Sequence, residues 1–239
     1  MFAGPGYLAS VSVRIVAIDG PAGAGKSTVA RQLAGRLGFT IIDTGAIYRA
    51  VALAARRAGV AWDDDEGLGK LLDAGLRPKF DADRVLLRGE DVTEAIRTPE
   101  ISRGASVVSA RPVVRQKLLQ LQRDLGRASA RGSVLEGRDI GTVVFPDAQV
   151  KFFLTASDGA RAQRRHAELA DRGLSVPLEE VLSEQRRRDK DDTERAIAPL
   201  RAAPDAIVVD TTGLDLGEVV ERCFREASSR LKHLISGQP

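Results

Sequence analysis

An α/β fold built on a five-stranded parallel sheet is what this sequence predicts, and three observations predict it. The glycine-rich stretch Gly20-Pro21-Ala22-Gly23-Ala24-Gly25-Lys26-Ser27-Thr28 stands between an apolar, β-branched run at 13–18 and a helical pattern at 29–37. Further short apolar runs at 39–42, 133–136, 150–154 and 206–209 alternate with helical patterns, as parallel strands joined by crossover helices do. Between Trp62 and Arg131 that alternation lapses, which marks an inserted piece, because a parallel sheet would need its next strand sooner.

The first strand leads into the glycine-rich stretch, and the stretch opens a helix. Glycines let successive backbone N–H groups turn toward one concavity, and the helix points its positive end there. Lys26 then reaches the β- and γ-phosphates and Ser27 ligates Mg²⁺, so the loop is built for a nucleoside triphosphate. Val29, Leu33 and Leu37 share one helical face, and Gly38 supplies the stop. The second strand, 39–42, ends at Asp43-Thr44-Gly45, a turn and cap for a helix at 46–58. With that start, Tyr48 and Arg49 fall in the first turn, where a cation opposes the helix dipole, so Arg49 reads as kept for an external anion.

Inside the insert, Asp63 and Glu66 have capping-box spacing ahead of a short helix ending near Gly75. Residues 76–80 pair with 85–88 as a small hairpin across 81–84. Thr98-Pro99-Glu100 caps one helix, and Pro112 opens another with Val114, Leu118, Leu121 and Leu125 as its apolar stripe. The strand at 133–136 runs into Gly137-Arg138-Asp139-Ile140-Gly141, at the carboxyl edge that faces the ligand crevice in open α/β sheets. Ser157 caps a helix through Leu169, a second helix covers 178–188, and Asp215 with Glu218 forms a capping box for the last helix.

Composition narrows the function. The 239 residues carry a formal net charge of +3, too small for a polyanion footprint and suited to anionic metabolites held locally. Residues 161–195 look basic, yet nine Lys and Arg are cancelled there by nine Asp and Glu. A nucleic-acid arm would not cancel its own field, whereas a mobile lid can still place single guanidiniums on phosphates. A single cysteine, Cys223, sits in an apolar helical pattern, and the chain shows neither a signal-peptide pattern nor an 18-residue apolar run. The expectation is therefore a cytoplasmic protein, without membrane or nucleic-acid partners and monomeric, whose residues 1–12 form a flexible tail.

The loop, Asp43-Thr44-Gly45-Ala46-Ile47-Tyr48-Arg49, the segment Glu136-Gly137-Arg138-Asp139-Ile140-Gly141-Thr142-Val143-Val144-Phe145-Pro146-Asp147 and residues 188–200 together resemble the bacterial cytidylate kinase family. That resemblance implies a P-loop NTPase core at 13–43 and 132–235 and a nucleoside-monophosphate-binding region at 44–131 with a bacterial-type insert at about 62–111. It also implies a helical lid at 158–200. The implied reaction moves the γ-phosphoryl group of ATP, with Mg²⁺, onto CMP or dCMP. By the same resemblance Gly20 to Thr28 hold the ATP phosphates, with Arg161 on the adenine side. Arg49, Arg138 and Arg195 hold the acceptor and transferring phosphates, and Lys26, Arg138, Arg188 and Arg195 carry the catalysis. Ser106, Arg115 and Asp139 read cytosine, while Thr44, Tyr48, Arg188 and Asp192 complete the CMP site. A carboxylate accepts from the cytosine 4-amino group and would face the O4 of uracil unfavourably, so Asp139 should favour CMP.

Two departures accompany the likeness. Thr44 stands where many relatives have Ser, and Glu136 where some have Asp; Glu136 could orient a Mg²⁺-bound water. Rival readings are another nucleoside monophosphate kinase (UMP/CMP) or a regulatory GTPase. The second usually reads guanine with an Asn-Lys-x-Asp element, and this chain contains no asparagine.

Overall fold

The computed structural model describes residues 13–81 and 84–236, with the side chains of 233–236 left aside. The expected tail at 1–12 and the centre of the hairpin turn at 82–83 lie outside the described residues. Five parallel strands, β1 (Ile15–Asp19), β2 (Thr40–Asp43), β6 (Ser133–Gly137), β7 (Val150–Thr155) and β8 (Ile207–Asp210), form one sheet in the order β2-β6-β1-β7-β8. β1, in the middle, is buried along its whole length. Its side chains alternate between faces, as pleating requires. Val16 and Ile18 pack with Val29 and Leu33 of α1 (Lys26–Leu37) and with Val219, Cys223 and Ala227 of α8 (Leu216–Ser236). Ile15 and Ala17 belong to the opposite cluster, with Ile42, Leu135, Ile140, Val144 and Phe145.

α1 begins three residues before its apolar pattern does. Gly25 caps it in the left-handed region at φ 84°, a conformation costly for other residues, so Lys26 is already the first helical residue. α2 (Thr44–Arg57) also starts early, because Asp43 is its cap and accepts from the Ala46 N–H at 2.9 Å. Arg49 is thus in the second turn, and Asp43 Oδ2 takes a 2.6 Å bond from it. The clash with the dipole inferred from the sequence is therefore removed by two residues of helix and one carboxylate.

The inserted piece has its own core. α2, α3 (Asp65–Asp73), α4 (Pro99–Ala110) and α5 (Pro112–Arg127) surround Ile47, Val51, Leu68, Ile101, Val108, Val114 and Leu118. Trp62 seals it, donating Nε1–H to the Ala52 carbonyl at 2.9 Å and laying its ring on Gly104, where a Cβ would fall 2.4 Å from the indole. Asp64, not Asp63, caps α3, and Glu66 pairs with Lys70, so the expected capping box does not form. The hairpin β3 (Lys79–Asp81) and β4 (Arg84–Leu87) gains a third strand, β5 (Glu90–Asp91). Arg88 and Gly89 turn between them, both at positive φ, which suits the twist of a tight hairpin.

α6 (Asp158–Asp171) and α7 (Leu178–Glu194) pack on each other through Ala162, Leu169 and Val181. α7 runs six residues past its expected end, since Asp191 accepts the Arg195 N–H and the helix continues through its charged stretch. Asp215 and Glu218 exchange the bonds expected of a capping box, at 2.8 and 2.9 Å. Every strand of the large sheet delivers its carboxyl end to the same edge, and the loops there form the crevice.

Candidate active site

The glycine-rich loop leaves β1 through Gly20, whose φ of 147° and position against β7 admit no side chain: a Cβ would lie 2.0 Å from the Leu154 carbonyl oxygen. Lys26 folds back and donates to the Pro21 carbonyl at 2.8 Å. Ser27 donates its hydroxyl to Glu136 Oε2 at 2.8 Å, and Thr44 donates to the Glu136 backbone carbonyl at 2.6 Å. Glu136 is 4% exposed, and its other oxygen, Oε1, is buried with no hydrogen-bond partner. Burial, followed by the carboxylate of Asp43, pushes the Glu136 pKa up; burial, followed by the Arg138 guanidinium, pulls that of Lys26 down.

Across the crevice lies a cluster of arginines. Arg138 donates Nε–H to Asp192 at 2.8 Å, and Arg195 stands 3.7 Å from the other oxygen of that carboxylate. Arg188, one turn before Asp192 on α7, is drawn down to about 10 by burial and by Arg138, and its Nε is buried without a partner. Arg49 Nε is in the same condition. Several positive groups thus crowd one volume with donors to spare, an arrangement that an anion with several oxygens relieves.

Deeper in, Asp139 is 5% exposed and lies between two guanidiniums. Arg115 bonds one oxygen and Arg195 approaches the other at 3.4 Å. Arg115 also donates to the Ser109 carbonyl at 3.0 Å and sits over the Tyr48 ring, 5.7 Å from its centroid. The Tyr48 hydroxyl accepts from Gln122 Nε2 at 3.4 Å. One pocket is lined by Lys26, Thr44, Tyr48, Arg49, Ala105, Ser109, Arg115, Glu136, Arg138, Asp139, Arg188, Asp192 and Arg195, so nearly every expected acceptor-side residue meets there.

Two of the expected residues have their side chains engaged elsewhere. Ser106 does not line that pocket; its hydroxyl turns back onto the Ser102 carbonyl of its own helix at 3.4 Å, and Ala105 and Ser109 line the wall instead. Arg161 does not offer a free guanidinium to a base. It is 4% exposed and saturated by the Ala22 and Ala156 carbonyls, each at 3.0 Å, and by Asp158 and Asp189. The cavity beside the loop is walled by Arg164, Thr211, Leu214, Leu216 and Val219, none of them expected at a binding site from the sequence. Arg164 bonds both the hydroxyl and the carbonyl of Thr211, a contact between α6 and the segment after β8 that no local pattern signals.

No helix among the described residues is long and apolar enough to cross a membrane. In comparison with known proteins, a cytidylate kinase of Geobacter sp. is 54% identical over 91% of this chain and 94% of its own length. One from Stutzerimonas stutzeri is 50% identical over 91% and 96%. Among solved structures, an uncharacterized protein of Eubacterium ventriosum aligns over 90% of this chain and 99% of its own, with a TM-score of 0.51 and 13% identity, a likeness of fold alone. The sequence model of the cytidylate kinase family matches residues 16–229. On these grounds the chain belongs to the cytidylate kinase family.

Proposed function

We propose that the protein transfers the γ-phosphoryl group of ATP to CMP or dCMP, giving ADP and the corresponding diphosphate. The observation that carries this reading is one crevice holding both halves of the reaction: the phosphate loop with Lys26 and Ser27 on one side, and the buried Asp139 between Arg115 and Arg195 on the other. Family membership supports the same reading.

Phosphoryl transfer asks for positioning and for positive charge around the equatorial oxygens more than for covalent chemistry. Loop N–H groups and Lys26 would hold the β- and γ-phosphates. Arg49, Arg138, Arg188 and Arg195 would gather around the migrating group and the acceptor phosphate, the unpartnered Nε–H groups of Arg49 and Arg188 turning onto its oxygens. A phosphate monoester with a second pKa of about 6 is largely ionised at neutral pH, so the acceptor attacks without a general base. Asp139 would accept a hydrogen bond from the cytosine 4-amino group, held in place by Arg115, whose guanidinium lies over the Tyr48 ring.

The residues present also fit Mg²⁺. Ser27 supplies a hydroxyl at the loop, bonded to Glu136 Oε2, and the second oxygen of that carboxylate is buried without a partner. When bound, the ion neutralises charge on the β- and γ-phosphates. We assign the region at 44–131, with its insert at about 62–111, to the acceptor and the α6–α7 pair to the lid, since Arg172 of the pair's connecting turn already bonds the Arg97 carbonyl of the insert at 3.1 Å. ADP release measured with ATP and Mg²⁺ against CMP, dCMP, UMP, AMP and dTMP tests the reading. CMP and dCMP should stand at least tenfold above the others in kcat/KM. Turnover with CMP no faster than with buffer would end it.

A further inference from the structure

Asp139 occupies an unusual place in its own segment. It is the capping residue of a five-residue π-helical turn, Ile140–Val144, yet its side chain makes no capping bond. An aspartate there would ordinarily turn onto the first free N–H groups of the turn, since these have no partner inside it. The first two of those groups are taken by another residue. Asp19, the last residue of β1, accepts the Ile140 N–H at Oδ1 and the Gly141 N–H at Oδ2, both at 2.8 Å. Asp19 is buried, 4% exposed, and both its oxygens are engaged in this way. Its burial holds the carboxyl up at about 6, against the pull of those two N–H groups.

We propose that Asp19 is a positioning residue for nucleobase selection: by capping the turn from a distant strand, it leaves the Asp139 carboxylate free to pair with Arg115 and Arg195 and to face the base. The inference deepens the functional reading above and rests on Asp139 being the group that meets cytosine. Asp19 also ends the strand that opens the phosphate loop, and it pairs in register with Gly137, two residues before Asp139. Asparagine at this position keeps the shape but sets an N–H₂ against one of the two donors, and Asp139 then becomes the better acceptor for the orphaned N–H.

The test is a double-mutant cycle on D19N, D139N and the pair, with kcat/KM measured for CMP and UMP and KM measured for ATP. D19N should lower kcat/KM for CMP by about 30-fold or more and cut CMP:UMP discrimination by about tenfold, with ATP KM within about threefold of the parent. Because Asp19 acts through Asp139, adding D19N to D139N should change discrimination less than about twofold. Full additivity, or D19N discriminating like the parent, overturns the proposal. A parent protein that does not prefer CMP at all, or D139N retaining the preference, overturns instead the reading of Asp139 on which it rests. Should D19N not fold, the parent protein still decides: the amides of Ile140 and Gly141 must exchange hydrogen slowly in the absence of nucleotide, and exchange at the rate of an open loop overturns the proposal.

Discussion

Replacing Asp139 by alanine separates recognition of the acceptor from the phosphate machinery. The carboxylate lies between Arg115 and Arg195, whose side chains are 8% and 6% exposed, so its removal leaves two guanidiniums facing each other away from water. Breaking a buried pair from one side costs about 3–5 kcal/mol. The lower end applies here, because Arg115 keeps the Ser109 carbonyl and Arg195 keeps the Ala198 carbonyl and Asp192. For a chain of this length about 3 kcal/mol corresponds to a fall in Tm of roughly 6–12 °C. Losing the acceptor for the cytosine amino group should in addition lower kcat/KM for CMP by about 10²-fold or more, equivalent to about 2.7 kcal/mol of transition-state binding. ATP KM should hardly move, since Asp139 is outside the loop. Coupled measurement of ADP release, with each nucleotide varied in turn, reads both. A CMP kcat/KM within tenfold of the parent, or equal losses for the two nucleotides, would show that Asp139 supports the fold and does not read the base.

Lys26→Ala should lower kcat by about 10³-fold or more, because charge on the migrating group loses its nearest compensating cation; a variant keeping a tenth of the activity would contradict that role. Arg161→Ala should reduce stability by about 3 kcal/mol, since it leaves Asp189 and the Ala22 carbonyl without their donor; thermal unfolding unchanged from the parent would refute a structural role for this guanidinium. Cys223 is pushed up to about 12 by burial, so the native protein should not react with a thiol-specific disulfide reagent at pH 8 and should react once unfolded. Rapid labelling of the native protein would place that thiol at the surface.

Local signals carried most of the fold. Hydrophobic period, glycine stops and capping residues act over a few residues, so strands, helices and the Asp215–Glu218 box were legible before any contact was known. The same signals misplaced ends: α7 continues through charged residues because Asp189 and Asp192 meet buried guanidiniums of Arg161 and Arg138 from other segments, and β5 is two residues long with no pattern of its own. The phosphate loop was legible because its chemistry is written in nine consecutive residues. For the pocket that gathers Arg49, Arg115, Asp139 and Arg195, local pattern marked only Arg49 and the 137–141 stretch, since these residues come from four separate segments.

What the sequence determined by itself was the parallel α/β layering and the triphosphate cradle, for both follow from residues that are neighbours along the chain. What only the tertiary structure decided was which charges are free. Arg161 and Arg188 lie in the same balanced charged segment, yet one is saturated beneath the loop and the other keeps an unpaired N–H beside it. Asp19 and Asp139 each end or follow a strand, yet one caps and the other faces the crevice. A side chain's partners are set by distances between segments far apart in sequence, and hydrogen bonding depends on those distances to within a few tenths of an ångström.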